Sequence, residues 1–548
     1  MVTFTRRGLA LAALAAGCAP RAAPDLIIHG GPIYTGVAAA PQAEAVRISG
    51  GRFAVVGSLS DARAGARGAR EIDLGGAAAF PGFTDAHVHL SGVGMAAMVL
   101  DLVGVESIAA MQQRLRDYAA SHSEGAIYGR GWIETHWPER RFPTRADLDA
   151  VVADRPVFLE RIDGHAAVVN SAALALGGID ANTPNPDGGA IERDGAGAAT
   201  GMLIDNATTL VQARLPAPTS AMQRQALVEG ARIYAARGWT GICNMSTSAA
   251  EAALFQEFAA AGELPLRADL YLTPEDSGAI LQGGPYGEGL VHVRGVKLYM
   301  DGALGSRGAA LLAPYSDAPT QGLLVTPMEQ LRATLAQARE RGVQIATHAI
   351  GDRGNRLALD AYRDAFADDP SALRAARWRI EHAQVISPAD LPRFAAMGVI
   401  ASMQPSHAIS DLHFAPARLG RARLAGAYAW RSLLDSGATI VAGSDAPVEK
   451  GDPLIEFYAA VHRHDLSGFA GEDWGLDQVV SRAQALTMLT SAPAAATFAE
   501  TERGVIAQDR RADLSVFSAD LMTAAPAAIV GARAVLTVSE GRITHEAL

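Results

Sequence analysis

The chain has 548 residues, enough for three or four domains of roughly 150 residues or for one large barrel with attachments. Apolar residues make up 49% and charged residues 19%, a balance that excludes a disordered chain. The 47 basic and 58 acidic residues leave a net charge of −11 with no basic block, which argues against a nucleic-acid binder.

Residues 1–18 read as an export signal. Thr5-Arg6-Arg7-Gly8-Leu9-Ala10 is a twin-arginine pattern, and the apolar run Leu9 to Ala16 is about half of what a membrane span needs. Ala15-Ala16-Gly17-Cys18 resembles a lipoprotein cleavage box, with Cys18 as the lipidated first residue. Ala15 departs from the leucine usual in such boxes. The expectation is a periplasmic protein or one anchored to a membrane through Cys18. Cys243 is the other cysteine, so a disulfide scaffold and a thiolate zinc site are both excluded.

Residues 25–80 contain short β-rich runs separated by glycine pairs, and residues 500–548 have the same texture. Together they predict a small β-sandwich built from both termini. The middle, 81–499, alternates strands and helices, the pattern of parallel βαβ units. Its predicted strands are Ala78 to Asp85, Thr240 to Asn244, Leu266 to Leu272, Val293 to Tyr299, Val343 to Thr347, Arg377 to Glu381, Val399 to Met403 and Thr439 to Ala442. Helical stretches such as Ala221 to Arg237, Met328 to Arg341 and Arg356 to Phe366 lie between them. Eight such strands predict an α/β fold, a (β/α)₈ TIM barrel. Residues 101–215 break the rhythm and read as an insertion after the first barrel strand, covering the site.

Chemistry collects at the strand ends. His87 and His89, two residues apart, point to one side of an extended backbone and can bind one cation. His348, His382 and Asp445 each end or follow a predicted strand, and Lys297 lies on another. In such a barrel the C-terminal strand ends share one mouth. Four histidines, a carboxylate and a lysine there suit Zn²⁺, with Mn²⁺ or Fe²⁺ as alternatives. Lys297 and Lys450 are the two lysines among 47 basic residues. Carboxylation of Lys297 by CO₂ would give a carbamate able to bridge two metals, which arginine cannot supply. The alternative is a structural pair with Asp301.

The ordered set Pro81-Gly82-Phe83-Thr84-Asp85-Ala86-His87-Val88-His89, Lys297, His348, His382 and Asp445 resembles the amidohydrolase superfamily. Asp163-Gly164-His165, Asn170-Ser171, the segment Lys297 to Arg307, Thr347 to Asp352 and Arg379-Ile380-Glu381-His382 narrow the resemblance to amidohydrolase family 3, which includes N-substituted formamide deformylases. The resemblance implies one metal on His87, His89 and Asp445, a second on His348 and His382, and carboxylated Lys297 as bridge, with the count varying between one and two. It implies a hydrolase of a C–N bond in an amide, N-formyl or carbamate-type small molecule, with Asp445 as general base and acid. The proton-shuttling glutamate that deaminases carry shortly after this histidine is missing: Ala349, Ile350, Gly351 and Asp352 follow His348.

His165, Arg307 and His407 are candidate substrate contacts; loop stabilisation for His165 and structural pairing for Arg307 are the alternatives. His413 also lies near the expected mouth. Trp132, His136 and Trp137 line a pocket or form the core of the insertion. Cys243 reads as a buried apolar residue. A lactonase or esterase on the same site, and a non-catalytic anchored binding protein, are the competing functions. A homodimer is the default oligomer.

Overall fold

The computed structural model describes residues 25–548 apart from 136, 163, 165, 187, 217 and 218. The export signal, Cys18, His136 and His165 lie outside the described residues. No helix among them is long and apolar enough to cross a membrane.

Eight parallel strands follow one another around a barrel: β1 (Phe83–Val88), β2 (Trp239–Thr247), β3 (Arg267–Leu272), β4 (Val291–Tyr299), β5 (Gln344–Ala349), β6 (Arg379–His382), β7 (Ile400–Met403) and β8 (Ile440–Ala442). Helices such as Ser220–Arg237, Met328–Arg341 and Asp352–Ala365 cover it. The strands are almost wholly buried, as parallel strands with both faces covered must be. Ordinary ladder pairing stops between β8 and β1, and the chain beyond β8 closes the ring. Val88 bridges Ala446, Asp445 N donates to His87 O at 2.7 Å, and His89 N donates to Ala446 O at 2.9 Å. Gly443 permits this approach, because a Cβ there would sit 2.3 Å from His87 N.

The run expected as one strand from Ala78 to Asp85 is two. Ala78–Pro81 pairs antiparallel with Leu514–Phe517, and β1 begins only at Phe83. Gly82 makes the break: a Cβ there would meet Thr240 Oγ1 at 2.2 Å and Asp513 Cβ at 2.6 Å. That pairing joins the two chain ends in one eight-stranded sheet, which branches at Leu26–Tyr34 because that strand pairs with Gln42–Ser49, Arg70–Asp73 and Ala78–Pro81. Ile28, Ile33, Val46 and Phe53 from one end pack with Leu514, Val516 and Leu536 from the other. At the foot of β3, Arg267 clamps this sheet to the barrel by donating to Asp513 at 2.9 Å and Glu540 at 2.6 Å.

A separate six-stranded sheet is built from strands between Leu100 and Asp205. It interrupts the crossover from β1 to β2. The helices on either side of it, Leu90–Met98 and Ser220–Arg237, pack so closely that a Cβ on Gly94 would lie 1.7 Å from Ala226 O. Trp132 and Trp137 belong to the core of this sheet, with their indole N–H groups on Leu159 O at 2.8 Å and Val105 O at 2.7 Å. The sheet also touches the loop after β8, where Arg130 donates to Pro447 O at 2.8 Å.

Candidate metal centre

The C-terminal ends of β1, β4, β5, β6 and the turn after β8 bring the predicted residues together. His87, His382 and Asp445 offer ligand atoms that all lie within 4.8 Å of one another. Asp445 Oδ1 is 3.3 Å from both His87 Nε2 and His89 Nε2. Lys297 Nζ is 3.3 Å from His87 Nε2. The His348 ring lies 4.5 Å from that of His382, centroid to centroid. This compact triple takes His87 and Asp445 from one expected metal set and His382 from the other, so the two sets adjoin.

Each ring is held by its surroundings. His87 Nδ1 donates to Glu381 Oε2 at 2.6 Å, His89 Nδ1 to Met245 O at 3.1 Å, and His382 Nδ1 to Gln404 Oε1 at 2.8 Å. Each bond fixes the tautomer that presents an Nε2 lone pair to the cluster. His348 turns Nε2 toward Gly302 O, at 3.5 Å, and Asp301 Oδ1, at 3.6 Å. His382 and Asp445 take left-handed backbone conformations, with φ of 70° and 58°, where their strands end. Such geometry costs about 1–3 kcal/mol per residue and persists where the surroundings impose it.

Four buried residues support this arrangement; the sequence reading gave Arg379, Glu381 and Asp85 no role, and Asp301 only that of an alternative partner for Lys297. Arg379 donates to Glu381 Oε1 at 2.5 Å, Ala86 O at 2.6 Å and Ser402 Oγ at 2.5 Å. Burial alone would raise the Glu381 carboxyl, but Arg379 and His87 hold it well below the usual range. An ionised Glu381 is what the His87 N–H requires. Asp85 latches the barrel closure, accepting from His87 N at 3.0 Å, Ser444 N at 2.9 Å, Ser444 Oγ at 2.6 Å and Tyr234 OH at 3.0 Å. Asp301 accepts three backbone N–H bonds, from Ala310, Ile350 and Gly351. Arg379 and Glu381 stand two apart on a strand, as His87 and His89 do near the end of β1, and that spacing was the available signal.

Burial shapes the charges. It pushes the Lys297 ammonium down to about 8 and depresses His382, which stays neutral. It opposes ionisation of Asp445 as well, yet the His87 and His89 imidazoles, when protonated, hold that carboxyl well below the carboxylate range. Lys297 has no carboxylate partner among the described residues, and Asp301 is committed to backbone amides, so the alternative lysine–Asp301 pair is not formed. Imidazole nitrogens, a carboxylate and an amine, with no thiolate among them, fit a divalent cation.

The remaining candidates divide. His407 lies beside the cluster, with Nε2 3.7 Å from Asp445 Oδ2 and its ring 5.8 Å from that of His382. That nitrogen is buried and finds no hydrogen-bond partner among the described residues. Arg307 is instead bound to Asp317 at 2.9 and 3.1 Å, the structural pairing. His413 pairs with Asp465 at 3.1 Å. Cys243 is buried against Met245, Tyr271 and Ala346.

The profile of the amidohydrolase family matches residues 70–545. The chain belongs to this family. It is 34% identical over 533 residues to the Bacillus subtilis protein YtcJ, whose name gives it as an amidohydrolase, covering 95% of this chain and 99% of that one. It is 29% identical to the N-substituted formamide deformylase of Arthrobacter pascens, covering 95% and 98% of the two chains. A crystal structure of a metal-dependent hydrolase from Pyrococcus horikoshii superposes with a TM-score of 0.76 at 28% identity, covering 92% of this chain and 99% of that one. Divalent-metal binding and hydrolysis are properties of the family.

Proposed function

We propose that this amidohydrolase cleaves a C–N bond in an amide, N-formyl or carbamate-type small molecule. The observation that carries the reading is the approach of His87, His382 and Asp445 ligand atoms to within 4.8 Å, with Lys297 Nζ 3.3 Å from His87. The resemblance to an N-substituted formamide deformylase over 98% of that enzyme's length supports the C–N preference.

His87, His89, His348, His382, Asp445 and Lys297 are the residues that would hold one or two divalent ions, Zn²⁺ by the preference of such donors. Bound there, the cation supplies a nucleophilic water at neutral pH and polarises the scissile carbonyl. Lys297 reaches its ligand form by carboxylation. Its neutral amine attacks CO₂, the new N–C bond forms, and one proton leaves, giving a carbamate with two oxygens. A buried amine without a carboxylate partner favours that step.

Asp445 divides its two oxygens. Oδ1 faces His87 and His89, and Oδ2 faces His407. Oδ2 accepts the proton of the attacking water and returns it to the departing nitrogen. His407 Nε2 contacts the substrate beside Oδ2. The His89 side chain is 33% exposed and that of His87 1%, so substrate enters on the His89 side.

Metal analysis of the purified protein, joined to a screen of N-formyl amines, N-acyl amines, carbamates and lactones, tests the reading. It expects divalent metal, turnover of a C–N substrate and loss of that turnover on chelation. Turnover of lactones alone would replace the amide assignment.

A further inference from the structure

We infer that a cleft at the barrel rim, between the loops following β3 and β4, receives an arm of the substrate attached to the scissile group. The arm it fits is short, with an aliphatic stem and a polar end, an ammonium or a neutral hydrogen-bonding group. This deepens the hydrolase reading above and rests on it.

The cleft has a volume of about 390 Å³, within the range of small-molecule sites. Its lining is mixed: Pro274, Leu298, Val325 and Pro327 are aliphatic, Thr273, Thr326, Gln330 and Thr334 are polar, and Glu275 is the one charged residue. The β3–β4 register, with Leu272 opposite Val296, sets the segment Thr273 to Glu275 beside Lys297 to Tyr299. The cleft therefore stands at the same end of the barrel as the metal cluster.

Tyr299 belongs to both places. It lines the cleft, its ring centroid is 5.7 Å from that of His348, and Lys297 Nζ lies 5.4 Å from the same ring. Its hydroxyl is hydrogen-bonded to Ser246, a residue held at a φ of 53° at the end of β2. That bond restrains the ring as a fixed wall. Tyr299 is thus the residue that the cleft and the cluster share.

Glu275 selects the far end of the arm. It is exposed, and no ion pair claims it among the described residues. It attracts an ammonium and repels a carboxylate, while the aliphatic walls take the stem.

The test uses zinc-loaded protein and hydroxamates, which chelate a metal whether or not the matching amide is a substrate. Acetohydroxamate has no arm; caproyl, aminocaproyl and adipoyl monohydroxamates carry arms ending in methyl, ammonium and carboxylate. By calorimetry at low ionic strength, the aminocaproyl compound should bind about two- to five-fold tighter than the caproyl one, and the adipoyl compound weakest. Glu275→Gln should bring the first two together, and Glu275→Arg should reverse the order. Val325→Trp, at a half-exposed position, should weaken all three armed compounds about ten-fold. Acetohydroxamate should bind equally to every variant. Armed compounds no tighter than acetohydroxamate, or an order unchanged in Glu275→Arg, would overturn the cleft assignment while leaving the metal site standing. Failure of acetohydroxamate itself to bind would remove the metal reading, and the cleft with it.

Discussion

Lys297 Nζ lies 3.3 Å from His87 Nε2, buried, with no carboxylate paired to it among the described residues. A lysine so placed is positioned for chemistry at the imidazoles and not for a structural ion pair. Lys297→Ala should lose metal and lower kcat/KM on the order of a thousand-fold, as expected when several kcal/mol of charge stabilisation are withdrawn. A small carboxylate such as propionate should restore part of both by replacing the carbamate. Lys297→Arg should accept no rescue, because the guanidinium stays charged and fills the space. Metal content and steady-state kinetics with and without propionate check this.

Glu381→Gln should weaken metal binding about 10- to 100-fold, since His87 would lose the ionised acceptor that fixes its ring. Arg379→Met should do more damage to the fold. It leaves Glu381 ionised and buried without its cation, at a cost of about 3–5 kcal/mol in chemical denaturation. Equal stability of Arg379→Met and the parent protein would show that the pair does not carry its buried charge.

Much of this site was legible because its residues stand at strand ends, where hydrophobic runs stop and polar side chains begin. The parallel barrel was legible for the same reason: short β-rich runs alternate with helical ones. What sequence could not supply is the identity of partners across the fold. Gly82 splits a continuous β-rich run because Thr240 and Asp513, far away in the chain, crowd it. Arg307 reads as either a substrate contact or a structural pair until Asp317 is seen against it. Asp85 and Glu381 stand inside recognisable motifs, yet their tasks depend on Ser444 and Arg379 meeting them in space.

Asp513 gives the fold a defined acid sensitivity. Burial alone would raise its carboxyl, but Arg267 beside it holds it below the ordinary value. An acid with a folded pKa below its unfolded value of ~3.9 contributes stability that is complete above that value and is lost as pH falls through the folded one. Asp513→Asn should therefore cost about 3–5 kcal/mol at neutral pH. The gap to the parent should stay constant down to pH ~4 and narrow below it. Urea melts across that range check it, and a gap that widens in acid would contradict the assignment.

His407→Ala should keep its metal and lose turnover. This buried nitrogen has no hydrogen-bond partner among the described residues and lies 3.7 Å from Asp445 Oδ2, where a bound molecule would supply its bond. Losing that contact should cost roughly 1–3 kcal/mol, about five- to 150-fold in kcat/KM. Unchanged kinetics would assign His407 to packing.

The proposed chemistry requires residues from five separate strand ends to form one divalent-metal site. Anomalous diffraction at the metal absorption edge, on crystals of the metal-loaded protein, tests it most directly. A peak enclosed by His87, His382 and Asp445, with electron density for two extra oxygens on Lys297, is the predicted result. An active enzyme whose peak lies elsewhere, or whose Lys297 points away from the imidazoles, would contradict it.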